Sequence, residues 1–448
     1  MLYRTSLISI LAFALATPVI ARGQPETSGP SFAHLASLDT APVIDGVINE
    51  EEWAGATVID QPFIQFQPDY GEPSAFRTVV RLAQTETSLF VAFEAFDPDM
   101  AQLSAARTQR DGSLGGDDSV QIMLDTFGDR RTAYGFQTNP LGTQEDYRIA
   151  DNGRTLDQRW DASWYNAATR LDDRWVVEME IPFEILKFAG GKDVAWGMNL
   201  RRTVPRRREQ ATWTPPSESV YRVTAFGELS GITPPQPDNA WTFIPYVQAS
   251  YEKGEDADFN TGADVRWRPS SNLGVDLTLN PDFALIEADV ETINLSRFEL
   301  RISEKRPFFL EGNEMYDQRI EQFYSRRIGD ISWGAKSNGK YRSTDFSAIA
   351  TSADIDNEFG GSDRADYVVA RFQQGFDRGS NIGVLAANRH FLSDYAGSAG
   401  LDTTWIFTDT IGRTAQFLQV HGDTAGGGKA WFVRPAWDTA RSHFHVRY

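Results

Sequence analysis

Residues 280–312 read NPDFALIEADVETINLSRFELRISEKRPFFLEG and separate two halves of the chain that differ in sequence character. The half before this stretch is rich in tryptophan and consists of short β-forming runs, as in a compact soluble domain. The half after it consists of short alternating strands joined by turns of unequal length, which is typical of a membrane barrel. The sequence therefore predicts an all-β protein, in which an N-terminal antiparallel β-sandwich is followed by a partial transmembrane β-barrel.

The composition limits the functions that this chain can have. Its 448 residues are too many for one ordinary domain, so two or three domains are expected. A formal net charge of −19 argues against a nucleic-acid partner, because phosphate binding needs a basic surface. The absence of cysteine excludes disulfides, thiolate catalysis and zinc–thiolate sites. The excess of Asp and Glu suits a secreted protein and also suits Ca²⁺.

The N-terminus has the features of a secretory signal. Arg4 precedes an apolar run from Leu7 to Ile20, and the run ends at the small residue Ala21. Residues 1–21 are therefore predicted to be a signal peptide that is cut after Ala21. A membrane anchor is the alternative, but the run is short for a bilayer. We expect the mature chain in the outer membrane of a Gram-negative bacterium, with the N-terminal domain outside the lipid core; its side is left open, with the periplasm favoured.

Residues 31–230 alternate short β-forming runs with turn residues. The predicted strands are Arg77–Leu82, Leu89–Phe96, Ser119–Leu124, Tyr134–Thr138 and Trp175–Ile181. A helical period is present only over Phe183–Phe188. Two packed antiparallel sheets are the architecture that this pattern predicts.

Seven motifs in this half occur in a fixed order and carry a resemblance. They are IDGVINEEEW (Ile44–Trp53), SLFVAFEAFDPD (Ser88–Asp99), DDSVQIMLD (Asp117–Asp125), FQTNPLG (Phe136–Gly142), WVVEMEIPFEIL (Trp175–Leu186), WGMNLRR (Trp196–Arg202) and FGEL (Phe226–Leu229). Together, residues 42–230 resemble the family 9 carbohydrate-binding module, a β-sandwich best known as an appendage of xylanases. The resemblance implies that the domain at 31–230 binds carbohydrate.

In that family two aromatic rings sandwich the sugar, and polar side chains bind its hydroxyls. The resemblance places the first ring at Gly115, the acidic group at Gln121 and the arginine at Gln137, so this chain departs from the pattern at all three positions. Tyr221 matches the second ring. A ring stacks on the apolar face of a pyranose, and an amide can still bind a hydroxyl. The implied carbohydrate site is therefore Gln121, Gln137 and Tyr221; the alternative is a domain of this fold that holds no ligand there.

Two tryptophans and one acidic loop are further candidates. Trp160 and Trp164 lie in the polar run RWDASWYN and could offer an exposed stacking surface, the alternative being two core residues. Asp97 and Asp99 form a loop whose counterpart in the family takes part in structural Ca²⁺ binding, which oxygen ligands suit. A structural Ca²⁺ is the one cofactor predicted; the alternative is an ordinary acidic turn.

Support for catalysis is weak. Glu178 and Glu180 lie two residues apart on one strand face, roughly 7 Å from each other, a spacing that glycosidases use. A solvated strand face is the favoured alternative. The five histidines form no HExxH motif and have no nucleophile partner. The arginine run at 201–208 could meet anionic groups or form an ion-paired edge.

A Pro-rich linker at 231–240 leads into residues 241–448, which are predicted to form an incomplete outer-membrane β-barrel portion. Its strands are expected at Trp333–Tyr341, Phe346–Ala353, Ala365–Phe376, Asn381–Phe391, Ala399–Phe407, Thr414–His421 and Lys429–Arg434. Tight turns are predicted at Arg342–Asp345 and Asp377–Ser380, and long polar loops at Asp354–Arg364 and Leu392–Ser398. Such asymmetry is typical of outer-membrane barrels, with a soluble sandwich as the alternative.

The stretch at 280–312 carries a second resemblance. Its run KRPFFLE, at 305–311, is similar to the hallmark of an uncharacterised outer-membrane barrel family whose members commonly bear the family 9 module at the N-terminus. Those members continue beyond the last residue of this chain, which implies an unclosed barrel. The alternative is that Ser442–Tyr448 is a natural closing strand. The charges of the stretch predict that it turns away from lipid, into the lumen or the periplasm.

These observations predict a carbohydrate-binding outer-membrane protein that is accessory to polysaccharide breakdown or uptake, with carbohydrate and outer-membrane lipid as partners. Catalytic activity is not favoured. One alternative is a hydrolase that acts on O-glycosyl bonds through Glu178 and Glu180. The other is an envelope protein with a structural or assembly role and no sugar ligand. The departures at Gly115, Gln121 and Gln137 favour the second alternative over the first.

Overall fold

The computed structural model describes residues 31–189, 195–235, 240–250, 258–281, 304–356, 362–376, 379–408, 410–422, 427–438 and 443–446. The described residues form two regions built almost entirely from β-strands. The first is a sandwich of two sheets, and the second, which we call the long sheet, is a single antiparallel sheet. The all-β class and the N-terminal sandwich predicted from the sequence are confirmed.

The sandwich consists of strands β1 to β15. Their bounds are β1 (Phe32–His34), β2 (Ala36–Ser37), β3 (Thr57–Ile59), β4 (Ile64–Gln67), β5 (Thr78–Gln84), β6 (Ser88–Phe96), β7 (Ser119–Asp125), β8 (Ala133–Thr138), β9 (Gln144–Ala150), β10 (Thr155–Asp157), β11 (Tyr165–Arg170), β12 (Arg174–Pro182), β13 (Trp196–Val204), β14 (Glu209–Thr212) and β15 (Gly227–Ser230). One sheet has the order β1-β15-β13-β7-β8-β9-β10, with β14 beside β13 and β4 beside β14. The other has the order β11-β12-β6-β5-β2, with β3 beside β5.

An apolar core between the two sheets holds the sandwich together. Alternate residues of the central strands point into this core: Val120, Ile122 and Leu124 from β7, and Val177, Met179 and Ile181 from β12. Trp175 and Trp196 are among the largest side chains that are fully buried. Burial of one large apolar side chain contributes about 1.5–3 kcal/mol. The other face of β7 is therefore free to carry polar residues, which positions the candidate site described below.

The long sheet consists of strands β16 to β26, which pair in chain order. Their bounds are β16 (Ala240–Ser250), β17 (Asp258–Ser270), β18 (Leu273–Leu279), β19 (Ile331–Tyr341), β20 (Thr344–Asp356), β21 (Ser362–Gly375), β22 (Asn381–Phe391), β23 (Asp394–Ile406), β24 (Ile411–Gly422), β25 (Gly428–Asp438) and β26 (His443–His445). One helical turn, α1 (Pro307–Leu310), lies between β18 and β19. The end strands β16 and β26 each pair on one side only within the described residues, so a closed barrel remains a prediction.

The long sheet exposes its apolar residues and covers its polar ones. Six residues on β20 to β25 form a cross-strand row that we call the outer row: Phe346, Phe372, Val384, Leu401, Phe417 and Trp431. Five of them, all but Phe346, are 44–57% exposed. The adjacent row on the opposite face, which we call the inner row, contains Asp345, Gln373, Gly383, Asp402, Gln416 and Phe432. The side-chain polarity of this sheet is thus reversed relative to the sandwich.

Residues 304–328, which we call the inner segment, cover the polar face of the long sheet. Gln318 donates a hydrogen bond from Nε2 to Asp402 of the inner row at 2.7 Å. Phe308 is buried against apolar residues of the same face. These contacts agree with the prediction that the charged stretch turns inward, as far as residues 304–312 are concerned. Residues 282–303 lie outside the described part of the chain.

The sandwich contacts the end of the long sheet through a group of buried charges. Lys340 of β19 forms ion pairs with Asp129 of the sandwich and, at 3.2 Å, with Asp345 of β20. Arg131 of the sandwich is 1% exposed and binds the same Asp345 at 3.3 Å. Buried charges need opposite partners to offset desolvation, and each of these four has one. We call these four residues the junction network.

Three predicted boundaries are wrong. The loop predicted at Asp354–Arg364 is shorter than expected, because β20 extends to Asp356 and β21 begins at Ser362. The sequence predicts a polar loop at Leu392–Ser398, but β23 begins at Asp394 and pairs with β22 up to Phe391. Cross-strand pairing outweighs the polar composition there, so the asymmetry of loop lengths is weaker than expected. The helical period at Phe183–Phe188 is reduced to a single 3-10 turn at Phe183–Ile185. Within the described residues, no helix has the length and apolar character needed to cross a bilayer.

Candidate functional site

A row of polar side chains crosses the outer surface of the nine-stranded sheet. The strand register places Arg201 beside Gln121, Gln121 beside Gln137, and Gln137 beside Glu145, on β13, β7, β8 and β9 respectively. We call these four residues the polar row. Each of them is at most 6% exposed, although none belongs to the core between the sheets. Two amides, one guanidinium and one carboxylate are therefore gathered at a single buried location.

Three members of the polar row have partners in the fold, namely Gln137, Glu145 and, through its hydrogen bond to Tyr221, Arg201. Gln137 donates from Nε2 to Ser119 Oγ at 2.9 Å. Glu145 accepts at Oε2 from the backbone N–H of Leu114, at 3.0 Å, and at Oε1 from Gln158, also at 3.0 Å. The hydrogen-bonding capacity of these residues is thus partly used by the fold itself.

Gln121 differs from its neighbours. Both its Oε1 and its Nε2 are buried and have no hydrogen-bond partner among the described residues. A buried polar group without a partner costs about 1–3 kcal/mol. Such a group calls for a further explanation, and a ligand that supplies the missing bonds is one.

Two tyrosines flank the polar row. Arg201 donates from Nη1 to Tyr221 Oη at 2.9 Å, and its guanidinium lies 5.2 Å from the centroid of the same ring. Tyr147 meets Tyr221 edge-to-face, with centroids 6.0 Å apart. Gly135 permits this arrangement, because a Cβ there would clash with the Tyr147 ring. Burial raises the pKa of Tyr147 well above its usual value, so it is a neutral phenol at physiological pH.

The loop that precedes β7 lies against the polar row. Leu114 is fully buried, and its N–H is the donor to Glu145. Gly115, which occupies the first aromatic position of the family pattern, is exposed. The nearest side-chain atom to a Cβ built on it is Ser113 Oγ at 3.6 Å. The structure therefore sets Gln121 beside Gln137, joins Tyr221 to the polar row through Arg201, and leaves open space at the position of the missing ring.

The two tryptophans of the predicted stacking surface lie elsewhere. Trp164 is 3% exposed, donates from Nε1 to Asp146 at 2.9 Å and packs on Phe136 with centroids 5.5 Å apart. The ring is part of the core between the sheets, so neither of its faces is open to solvent. Asp146 accepts the hydrogen bond from its N–H. Trp160 is half-buried and packs on Tyr134, with centroids 4.8 Å apart. Neither ring joins the polar row.

The predicted calcium residues have other partners in the fold. Asp97 is fully buried, and both of its carboxylate oxygens accept hydrogen bonds of 2.6 Å from Arg206. Asp99 binds the side chain of Gln102. Within the part of the chain that the structure describes, no group of three or more acidic or histidine side chains could hold a metal ion. The guanidinium of Arg206 thus neutralises the charge that a cation would otherwise balance.

The carboxylate pair of the hydrolase alternative is also engaged. Glu178 is fully buried and accepts hydrogen bonds from Gly46 N at 2.9 Å and from Trp53 Nε1 at 2.8 Å. Burial raises its pKa, and these hydrogen bonds oppose the rise. Glu180 accepts a hydrogen bond from Ser88 at 2.8 Å. Glu178 thus anchors the loop of Gly46 and Trp53 to β12.

Sequence reasoning missed Glu145 as part of the site and grouped Arg201 with the other arginines of its run. The turn at Asn139–Gly142 was nevertheless visible in the sequence. A hairpin closed by that turn sets Gln137 opposite Glu145, which is the observed register. Hairpin register was the signal that could have found Glu145.

Comparisons with known proteins match the two regions separately. A domain of unknown function (DUF5916) matches residues 240–356, so the match starts where β16 starts. A family 9 carbohydrate-binding module from Caldicellulosiruptor kristjanssonii, solved with glucose, is 19% identical over 47% of this chain and 99% of that one, with a TM-score of 0.34. Its structure with cellotriose is 19% identical over 47% of this chain and 97% of that one, with a TM-score of 0.33. No curated protein matches this chain.

Proposed function

We propose that this chain is a carbohydrate-binding protein of the outer membrane, with the long sheet in lipid and the sandwich in water. The outer row supports the membrane part of the proposal. Five of its six apolar residues are about half exposed on neighbouring strands, whereas soluble monomers rarely expose large contiguous apolar patches. Apolar side chains that face outward over a polar interior are what a lipid-spanning sheet requires.

Aromatic residues near both ends of the long sheet give further support. Trp241 and Tyr341, each 63% exposed, lie towards the end that contacts the sandwich. Trp333 and Tyr395, 41% and 40% exposed, lie towards the other end. Outer-membrane sheets carry such aromatic girdles where lipid meets water. The apolar band between them is where the proposal puts the hydrocarbon core.

The predicted signal peptide at 1–21 would export the chain to this membrane. Residues 271–272 and 342–343 form two-residue turns at the end of the long sheet that contacts the sandwich. Short turns are typical of the periplasmic end of outer-membrane sheets. Residues 392–393 form an equally short turn at the opposite end, so two of these three turns lie at the sandwich end. On this ground, and on the predicted export, we propose that the sandwich lies in the periplasm.

The carbohydrate part of the proposal is carried by Gln121, whose amide is buried in the polar row without a partner. A sugar hydroxyl both donates and accepts, so it can satisfy the two ends of one amide at once. Arg201 and Glu145 add a donor and an acceptor beside it. The ordered motifs that resemble the family 9 module point to the same ligand class. Access requires the loop of Leu114 to move away from Glu145.

Glycan binding by the Gln121→Leu variant tests this proposal. Leucine has a similar volume but no polar atoms, so it removes the unpaired groups. We expect the full chain in detergent to bind a neutral oligosaccharide in isothermal titration, and Gln121→Leu to lose the binding at the polar row. Its free energy of unfolding should stay the same or rise by about 1–3 kcal/mol, because the uncompensated desolvation disappears.

Unchanged sugar binding in Gln121→Leu would contradict the proposal. Gln210→Leu, on β14 outside the polar row, is the matched control and should bind the same oligosaccharide as well as the unaltered chain does. The proposal includes a role in polysaccharide breakdown or uptake, which the resemblance to a xylanase-associated module suggests.

A further inference from the structure

A cleft of about 930 Å³ lies between the sandwich and the first strands of the long sheet. This volume is within the range of about 300–1,000 Å³ found for small-molecule sites. The sandwich wall includes Trp160 and Glu184, the wall from the long sheet includes Arg266 and Asp276, and the inner segment contributes Phe308. No residue of the polar row lines it. The cleft is therefore a separate feature, built by both regions.

Trp160 presents a fixed ring to this cleft. One part of the indole packs against Tyr134, with centroids 4.8 Å apart, and against Phe136, with centroids 5.8 Å apart. The ring is only half-buried, and its uncovered part lines the cleft. A ring held by the core loses little conformational entropy when a ligand stacks on it.

The cleft also contains two charged groups of opposite sign that have no partner in the fold. Arg266 is exposed, and its side chain forms no hydrogen bond or ion pair with any described residue. Arg268, two residues further on, is bound to Asp276 at 3.0 Å and to Glu311 at 2.9 Å. On the opposite wall, Glu184 likewise has no partner among the described residues. Donors and acceptors thus face the same space unpaired.

The remaining charges of the lining are largely neutralised within the fold. Lys187 pairs with Glu311 at 2.5 Å, and Arg159 pairs with Asp157 at 2.6 Å. The two unpaired groups have opposite signs, so the lining has no excess of one charge that would bind a ligand with a large net charge. A neutral ligand rich in hydroxyls would satisfy Arg266 and Glu184 while its apolar face covers Trp160.

We propose that this cleft is a second binding site for a neutral oligosaccharide, formed jointly by the sandwich and the inner face of the long sheet. The ligand class rests on the proposed function, whereas the location does not. A glycan in the cleft lies against the same face as the inner row. With both sites occupied, one glycan would be bound at the polar row and a second glycan would lie next to the polar face of the long sheet.

Isothermal titration of the full chain in detergent with neutral trisaccharides of glucose and of xylose tests the inference. Two sites are expected. Arg266→Ala should weaken one of them about tenfold, the effect of losing a hydrogen bond to a charged group. Arg413→Ala, an equally exposed arginine on β24 that faces the other way, is the matched control and should leave both sites unchanged. Trp160→Phe, which keeps a ring, should retain most of the cleft affinity.

The outcomes separate the two proposals. Equal titrations for Arg266→Ala and Arg413→Ala overturn the cleft site. A single site that only Gln121→Leu removes also overturns it and leaves the proposed function standing. Binding that is lost in Arg266→Ala but unaffected by Gln121→Leu overturns the polar-row site instead. No binding to either trisaccharide contradicts both, and Arg266-dependent binding of trialanine in place of sugar overturns the ligand class.

Discussion

The sandwich and the long sheet are both antiparallel β-structures, but they place their apolar residues on opposite sides. In the sandwich, Phe93 on β6 is fully buried in the core. In the long sheet, Phe417 on β24 is 44% exposed, and the polar neighbour Gln416 is covered. Alternation of apolar and polar residues along a strand shows only that the two faces of the sheet differ in polarity, and not which face is outside. The reversed polarity is what the proposed function requires, with water around the sandwich and lipid around the long sheet.

The largest expected difference is in the free energy of unfolding lost when one phenylalanine in each region is replaced by alanine. Phe93→Ala should lower the free energy of unfolding by about 3–5 kcal/mol, because it leaves a cavity in a closed core. Phe417→Ala in detergent removes a ring that has no packed core around it, so the loss should stay below about 1 kcal/mol. Chemical denaturation of each full-length variant measures both values. Equal losses would show that Phe417 is buried in a core of its own.

A charge placed on two leucines of similar exposure should produce the next largest difference. Leu401 lies in the outer row and is 50% exposed, whereas Leu171 lies on the sandwich and is 46% exposed. Leu401→Arg should destabilise the chain in bilayers by about 2–4 kcal/mol. Leu171→Arg faces water and should change stability by no more than about 0.5 kcal/mol. Refolding yields into lipid vesicles compare the two; if Leu401→Arg folds as well as Leu171→Arg, lipid does not contact the outer row.

A buried carboxylate gives the sandwich a pH dependence. Burial raises the pKa of Asp146 to about 7, and the hydrogen bond from Trp164 offsets this only in part. Between the unfolded pKa of about 3.9 and that value, the folded state holds more protons. The contribution of Asp146 to the stability of the sandwich is therefore greatest at low pH, falls as the pH rises towards 7, and levels off above.

Asp146→Asn should reduce the slope of stability against pH, because the amide does not titrate, while Asp125, whose pKa burial also raises to about 7, retains its own contribution. Thermal unfolding followed by near-ultraviolet circular dichroism between pH 4 and pH 8, in buffers of equal ionic strength, measures it. Asp161→Asn alters a neighbouring carboxylate whose side chain is 69% exposed, and should keep the original slope. A flattened slope in both variants would assign the dependence to another group.

The smallest effect is expected from removal of divalent cations. Arg206 binds both oxygens of Asp97, so the charge of that loop is balanced without a metal. A chelator should leave the Tm of the sandwich transition unchanged. A Tm that falls with chelator and recovers with Ca²⁺ would support the calcium site that the family resemblance implies.

Much of the fold could be predicted because local pattern and tertiary structure agree. β7 was expected at Ser119–Leu124 and is found at Ser119–Asp125, and β22 was predicted with its observed bounds, Asn381–Phe391. Turn residues flank both strands. The prediction of a loop at Leu392–Ser398 was wrong, because most of these residues pair between β22 and β23. Strand pairing cannot be read from local composition.

The candidate site was predicted in part, for a related reason. Gln121 and Gln137 are neighbours in the polar row, and Tyr221 contacts this row through Arg201. Arg201 and Glu145 complete the polar row through strand register, which is a non-local property. Trp164 lies in a polar run of sequence, yet its side chain is buried. Burial depends on the residues that pack over the ring, which are distant in sequence. Asp146 accepts the hydrogen bond from its N–H and so allows this group to be buried.

The most direct test of the reversed polarity is site-directed spin labelling, because the sequence contains no cysteine that would compete for the label. Single cysteines placed one at a time from Ala399 to Trp405 on β23, in the full chain in bilayers, give unique sites for a nitroxide label. We expect period-two accessibility to lipid-soluble oxygen, high at Ala399, Leu401 and Trp405 and low at Asp402 and Thr404. Uniform accessibility to a water-soluble quencher along the whole strand would contradict the placement of this sheet in lipid.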